Sequence, residues 1–313
     1  MSKKRIVVAL GRNAFGDTFP EQQKAVKKAA KAIADLVEDQ YDIVITFSNG
    51  PQVGMFHTAM TEFSRLDSKY TVAPMSVCSS LSQGYIGYDL QNIIRTELLN
   101  RGIFKPVTTL ITQVKVDPFD KAFSNPTKII GRYMTETEAN EEKKKGNYVV
   151  LEEGKGYRRI IAAPKPKEIY EIDAIKALLD ANQIVIAGGG GGIPVLEQGT
   201  VLKGASAIIE KDDTSELLAE EINADVLLFL TGVDRVYLNF NKENAQPLDH
   251  ITLSEVKSLL NNNEFKAGSI LPKMEASIKF IESKPDRTAI VAHIDSALNA
   301  VHGKTGTHIT ADK

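Results

Sequence analysis

A layered α/β fold around a mainly parallel sheet is what this 313-residue sequence predicts, on three observations. Short apolar runs alternate with helix-length amphipathic stretches along most of the chain. The runs are apolar throughout rather than alternating, which suits strands buried on both faces. Glycine-bearing loops follow three of them, as at the carboxyl edge of an open α/β sheet.

"RIVVAL" (5–10) is the first expected strand, and "GRNAFG" its turn. In "EQQKAVKKAAKAIADLVED" the Ala, Val, Ile and Leu residues recur at three- and four-residue spacing, the mark of a helix with one buried face. "DIVITF" (42–47) is the second strand, followed by "SNGPQVG" and another helix. "PVTTLITQV" (106–114), "QIVIAG" (183–188), "DVLLFLT" (225–231) and "DRTAIVAH" (286–293) are further strands, and "GKTGTHI" (303–309) is expected to close as a final hairpin strand. Residues 118–168 break the rhythm. They are rich in Lys, Glu, Gly and Pro, and place "NYVVLEE" and "YRRIIAA" around one polar helix, the pattern of an inserted subdomain.

Composition narrows the function. The chain is 42% hydrophobic and 25% charged, the balance of a globular protein with ample core, and its length suggests about two domains. A net charge of −2 with both signs spread along the chain offers nucleic acid no basic face. No apolar run approaches the roughly 20 residues of a membrane span, and the basic start meets Arg12 and Asn13 too early for a signal-peptide core. One cysteine, Cys78, leaves no internal disulfide, fits a reducing cytoplasm, and is expected to be buried packing or a dimer contact rather than a nucleophile. The five histidines lack ligand spacing, so no protein-held metal is expected, and His57 is expected on a helix surface.

The chemistry is expected in the loops. "GRNAFG", "SNGPQVG" and "GGGGGIP" each follow a strand. Bare backbone there can turn N–H groups toward an anion, aided by helix N-termini. A tight turn accounts for any one of them; three at one sheet edge favour a phosphate site. Familiar motifs fail. "GKT" at 303–305 has Leu298 where a P-loop needs its first glycine, and the dinucleotide fingerprint lacks both its middle glycine, where Asn13 stands, and its acidic ribose partner. The cations complete the pattern. Lys211 and Asp212 begin one amphipathic helix, Lys273 begins another behind Gly268 and Ser269, and Lys128 lies in the insertion. Phosphoryl transfer asks for positioned cations and donors around the moving group.

The blocks "ALGRNA", "SNGPQVG", "SLSQGYIGYDLQN", "NPTKIIG", "GYRRIIAAPKPKEI", "GGGGIPV", "EKDDTSELLAEEINADVLLFLTGVDRVYLNF", "FKAGSILPKMEASIKF" and "GKTGT", in order from about residue 5 to 309, resemble the carbamate kinase branch of the amino acid kinase family. The resemblance implies a three-layer α/β/α sandwich with a protruding inserted subdomain, an acyl phosphate-binding part over 1–207 with the insertion at 118–168, and a nucleotide-binding part over 208–313. It also implies a cytoplasmic homodimer that moves phosphate reversibly between carbamoyl phosphate and ADP, giving ATP and carbamate, with Mg²⁺ on the nucleotide, often at the end of arginine breakdown by the deiminase route.

By matching motif, Gly11 and Asn13 would contact the transferring phosphoryl group. Asn49 and Gly50 would hold the carbamoyl end, and Gly189, Gly190, Gly191 and Gly192 would line the phosphate channel. Lys211 would stabilise the phosphoryl in flight, with Asp212 orienting lysines. Lys273 would reach the terminal phosphates and Lys128 would swing over the substrate. Lys211, Asp234, Tyr237, Gly268, Ser269 and Lys273 make up the nucleotide side. The chain departs from the family's usual pattern at Arg12, Phe47, Ser48, Thr214, Gly232 and Arg235. Two alternatives follow from those departures: a kinase of this fold with another small carboxylate acceptor, or a non-catalytic binder of nucleotide or acyl phosphate.

Overall fold

The computed structural model describes residues 3–16, 18–67, 69–240, 242–265 and 270–312. The first part runs β1 (Arg5–Leu10), α1 (Phe19–Glu38), β2 (Asp42–Phe47), α2 (Gly50–Leu66), α3 (Met75–Asn100), β3 (Val107–Thr109) and β4 (Gln113–Val116). An excursion follows: β5 (Lys128–Met134), α4 (Glu136–Lys144), β6 (Tyr148–Glu152) and β7 (Gly156–Ile161). The chain returns through β8 (Pro166–Ile169), α5 (Ile172–Asp180), β9 (Ile184–Ile186), β10 (Ile193–Gln198), β11 (Val201–Gly204) and α6 (Lys211–Glu221). The last part holds β12 (Val226–Thr231), β13 (Val236–Leu238), β14 (Gln246–Leu248), β15 (His250–Thr252), α7 (Leu253–Asn261), α8 (Leu271–Ser283), β16 (Thr288–His293), α9 (Ala297–Val301) and β17 (Thr307–Thr310).

Eight strands form the central sheet in the order β15-β17-β16-β12-β1-β2-β9-β3. Every pairing in it is parallel except β16 with β17; the expected final strand forms and runs antiparallel to β16, but α9 lies between the two, so they are not a hairpin. Successive side chains of a strand point to opposite faces, and here both faces are covered. Ile6, Val8 and Leu10 of β1 pack with α1, α3 and α9, while Val7 and Ala9 pack with α5, α6 and α8. This is the expected α/β/α sandwich. The two parts of the chain share one sheet, joined where β1 pairs with β12.

Two features differ from the sequence-based expectation. "PVTTLITQV" is two strands: β3 ends at Thr109 in the central sheet, and β4 belongs to a separate four-stranded sheet, β11-β10-β4-β8. A continuous apolar run carries no mark of a change of sheet. The insertion has its own three-stranded sheet, β5-β7-β6, with α4 across it, and β8 rejoins the body at Pro166. Helix α4 starts on a capping box, Thr135 with Glu138, which explains how so polar a segment stays helical. His57, expected on a helix surface, sits on α2 where that helix meets the insertion, half-buried, with Nε2 3.1 Å from Arg159 Nη1. Burial and the adjacent guanidinium push its pKa down. Cys78 is buried and unpaired, as expected of packing. Among the described residues no helix is long and apolar enough to cross a membrane.

Candidate active site

The loops after β1, β2, β9 and β12 gather at one edge of the central sheet, where the strands' carboxyl ends meet helix N-termini. The glycine turn after β9 is the tightest of them. Gly188, Gly190, Gly191 and Gly192 have φ of 63°, 66°, 87° and 87°, a region that other residues enter only with strain. A Cβ on Gly189 would fall 2.2 Å from the Phe47 ring, on Gly190 2.0 Å from Asn49 Nδ2, on Gly191 2.2 Å from the Ile209 carbonyl, and on Gly192 2.2 Å from Val114. The missing side chains therefore make room for protein as much as for ligand: the turn nests against four walls. Side chains hold it in place. Gln83 donates to the Gly189 carbonyl (3.0 Å), Thr214 to the Gly191 carbonyl (2.7 Å), and Thr112 Oγ1 accepts the Gly188 N–H (2.9 Å). No acceptor among the described residues takes the Gly189 or Gly190 N–H. Those two donors remain for a ligand.

Helix α6 starts beside this turn. Lys211 Nζ lies 2.5 Å from Asp212 Oδ1, and Lys273 Nζ, from the first turn of α8, donates to Asp212 Oδ2 at 3.1 Å. All three are nearly enclosed, at 8, 6 and 6% exposure for Lys211, Asp212 and Lys273. Both ammonium groups also sit over the Phe229 ring, 5.6 and 6.0 Å from its centroid. Two ammonium groups thus share one carboxylate in a nearly enclosed site, an arrangement that suits an incoming anion. Lys211 meets Asp212 as a close ion pair, which engages at most part of an ammonium with three donors. Burial pulls its pKa below the ordinary lysine value, with Asp212 opposing and Lys273 adding. Burial works against the Asp212 carboxylate, but the two lysines outweigh it and hold its pKa down.

A cavity of about 70 Å³ opens between the turn, α2 and the insertion, lined among others by Ser48, Asn49, Gly50, Lys128, Gly190 and Lys211. Asn49 precedes α2, and its amide is oriented by a 2.7 Å bond to Ser82 Oγ of α3. Lys128 reaches in from β5 and pairs with Glu210 Oε1 at 2.5 Å. From the β1 loop, the Gly11 N–H is taken by the Leu230 carbonyl (3.0 Å), which leaves Asn13 to present a side chain. Asn13 lies against Gly232, where a Cβ would fall 2.0 Å from Nδ2. Two of the departures from the family pattern are thus explained locally. Gly232 makes room for Asn13, and Thr214 fastens the glycine turn. Phe47 is buried beneath Gly189 and stacks 5.8 Å from Phe15, so it shapes the floor without lining the cavity. Arg12 is exposed beside Lys24 and Lys28.

A larger cavity of about 370 Å³ lies beyond Lys273, lined by Thr231, Val233, Tyr237, Phe240 and Phe265 with Lys273 at one side. Its aromatic and apolar side chains suit a flat heterocycle, and Arg235, Lys242 and Glu264 add charged groups to the same walls. Tyr237 is part of it. Asp234 does not line it and accepts the Tyr237 hydroxyl at 2.9 Å. Gly268 and Ser269 lie outside the described residues. Among the described residues, no cluster of three or more His, Cys, Asp or Glu side chains could hold a metal ion. Sequence reasoning missed Gln83, Thr112, Thr214 and Glu210, which fasten the turn or meet Lys128. They are ordinary polar residues in helices or loops, and only the fold brings them to the site.

The geometry agrees with the comparisons to known proteins. Residues 4–293 match the model of the amino acid kinase family. The chain belongs to that family. Within it, the chain is similar to carbamate kinases: it is 50% identical to the carbamate kinase-like protein YqeA of Escherichia coli, over 99% of each chain. It is 45% identical to the carbamate kinase of Clostridium perfringens, over 97% of this chain and 99% of that one. The structure of carbamate kinase from Giardia lamblia bound to AMP-PNP superposes with a TM-score of 0.93 at 35% identity, covering 99% of both chains. The protein is a kinase of the carbamate kinase branch of the amino acid kinase family.

Proposed function

We propose that this amino acid kinase transfers a phosphoryl group reversibly between carbamoyl phosphate and ADP, giving ATP and carbamate. One observation carries the reading: Asn49, Gly190, Lys128 and Lys211 line one small cavity, and Lys273 joins it to a nucleoside-sized cavity through their shared Asp212. In the ATP-forming direction a β-phosphate oxygen of ADP attacks phosphorus, the P–O bond to the carbamoyl carboxyl breaks, and carbamate leaves as an anion. Nucleophile and leaving group are both anionic oxygens, so no general base is required. The protein's work is positional and electrostatic. The free N–H groups of Gly189 and Gly190, Lys211 and Lys273 would surround the moving group, and Asn49 would hold the carbamoyl amide.

Mg²⁺ enters on the nucleotide in this reading, neutralising phosphate charge during transfer. With Asp212 already neutralised by two lysines, phosphate oxygens and water would supply its ligands, the usual mode for this ion. A cytoplasmic setting agrees with the single buried Cys78. A place at the ATP-yielding end of arginine breakdown rests on the family resemblance. We also propose a homodimer, formed through the outer face of α3. There Val77, Leu81 and Tyr88 are exposed along one stripe, with Gly84 open between them. Leu81→Asp should convert the dimer to monomer in sedimentation velocity; an unchanged profile removes α3 from the interface.

A coupled assay for ATP from ADP tests the activity with carbamoyl phosphate and acetyl phosphate side by side. Turnover selective for carbamoyl phosphate supports the proposal. Selective turnover of acetyl phosphate assigns a different acceptor, and nucleotide binding without any turnover makes the protein a binder.

A further inference from the structure

Four consecutive charged residues, Glu210 to Asp213, open α6, and between them they reach the insertion, its returning segment and α8. Glu210 takes Lys128 of the insertion, and Lys211 and Asp212 meet Lys273 of α8. Asp213, only 2% exposed, turns away from the cavity and receives both bonds of Lys165 Nζ, at 3.0 and 2.9 Å, with Lys279 of α8 at 3.6 Å. Lys165 stands on the segment that returns from the insertion. Its backbone N–H donates to Asp120 Oδ2 (3.0 Å), on the segment that enters it. One lysine thus gathers both stalks of the insertion, and one buried carboxylate fastens that lysine to the helix bearing Lys211.

We propose that Asp213 is a positioning residue, whose clamp on Lys165 sets the insertion so that Lys128 stands over the acyl phosphate cavity. The proposal rests on the phosphoryl-transfer reading above. Although burial opposes it, Asp213 holds the Lys165 ammonium above the ordinary lysine value, as a bidentate charged contact should. The insertion touches the acyl side of the site through Lys128, whereas the nucleoside cavity is built from the last third of the chain and α8. Loosening the clamp should therefore affect one substrate and spare the other.

Lys165→Met and Asp213→Asn test this in the full chain, with Lys165→Arg as the conservative rescue. Both disrupting variants should raise KM for carbamoyl phosphate about tenfold, the scale of one lost charge-assisted contact. KM for ADP should stay within about twofold in all three variants. Lys165→Arg should return both constants to near the wild-type values. Amide hydrogen exchange over 128–161 should quicken in Lys165→Met while β1 is unchanged. Equal rises in both KM values, unchanged constants, or unchanged exchange in the insertion would overturn the clamp. If the wild type itself fails to use carbamoyl phosphate, the transfer reading falls and exchange alone decides the clamp.

Discussion

Lys128 Nζ lies 2.5 Å from Glu210 Oε1, so the insertion's lysine is held at the edge of the cavity that Asn49, Gly190 and Lys211 line by the residue just before the helix of Lys211. A substrate oxygen that takes Lys128 must compete with that carboxylate, and must also approach its negative charge. Glu210→Gln removes both obstacles. KM for carbamoyl phosphate should fall by roughly twofold to fivefold, the size of a partly exposed ion pair. Steady-state kinetics check this, and a raised KM would show that Glu210 guides Lys128 rather than detains it.

In the proposed transfer Lys211 works as a cation, and burial lowers its pKa beneath the ordinary lysine value. Activity should therefore fall on the alkaline side earlier than titration of a free lysine would allow. Lys211→Arg, whose guanidinium stays charged throughout that range, should shift the alkaline limb of kcat upward even if the rate drops. An alkaline limb that does not move assigns the titration to another group.

Gly190 sits at φ 66°, and its absent Cβ leaves room for the Asn49 amide. Gly190→Ala adds strain of about 1 kcal/mol or more at that conformation and pushes Asn49 off its bond to Ser82. KM should rise for both phosphate substrates, or turnover should be lost, while the circular dichroism spectrum is retained. Unchanged kinetics would remove the turn from the site.

Beneath the site, Glu216 of α6 is buried, and burial with Asp213 and Glu220 nearby raises its pKa to about 7, against the opposing pull of Lys279. The unfolded chain releases this proton near pH 4.3. The folded protein keeps it until about 7, so stability falls as pH rises between those values and the penalty is constant above. Glu216→Gln lifts a penalty on the order of 3–4 kcal/mol at pH 8 and well under about 1 kcal/mol at pH 4.5. Thermal unfolding at the two pH values should show a gain in Tm only at the higher one.

The sheet was legible because β1, β2, β9, β12 and β16 are apolar on both faces, and a strand so placed has no other fold to join. The glycine turn was legible because a run of five glycines suits backbone that must close on several walls at once, as it does on Phe47, Asn49, Ile209 and Val114. The wiring that makes it a site was not. Gln83 sits within a long helix and Lys165 between two prolines, and neither residue type nor spacing marks the carbonyl or carboxylate it will meet. Asp212 and Asp213 read as a single acidic pair, yet the helical turn sends one between Lys211 and Lys273 and the other to Lys165 at the root of the insertion.

A crystal structure with ADP and aluminium fluoride tests most directly whether bare backbone and lysines converge on one moving phosphoryl group. The planar fluoride, standing in for that group, should lie within hydrogen-bond distance of the Gly190 N–H and Lys211 Nζ, with Lys273 on the nucleotide phosphates. Fluoride bound away from the glycine turn, with Lys211 still facing only Asp212, would contradict the account.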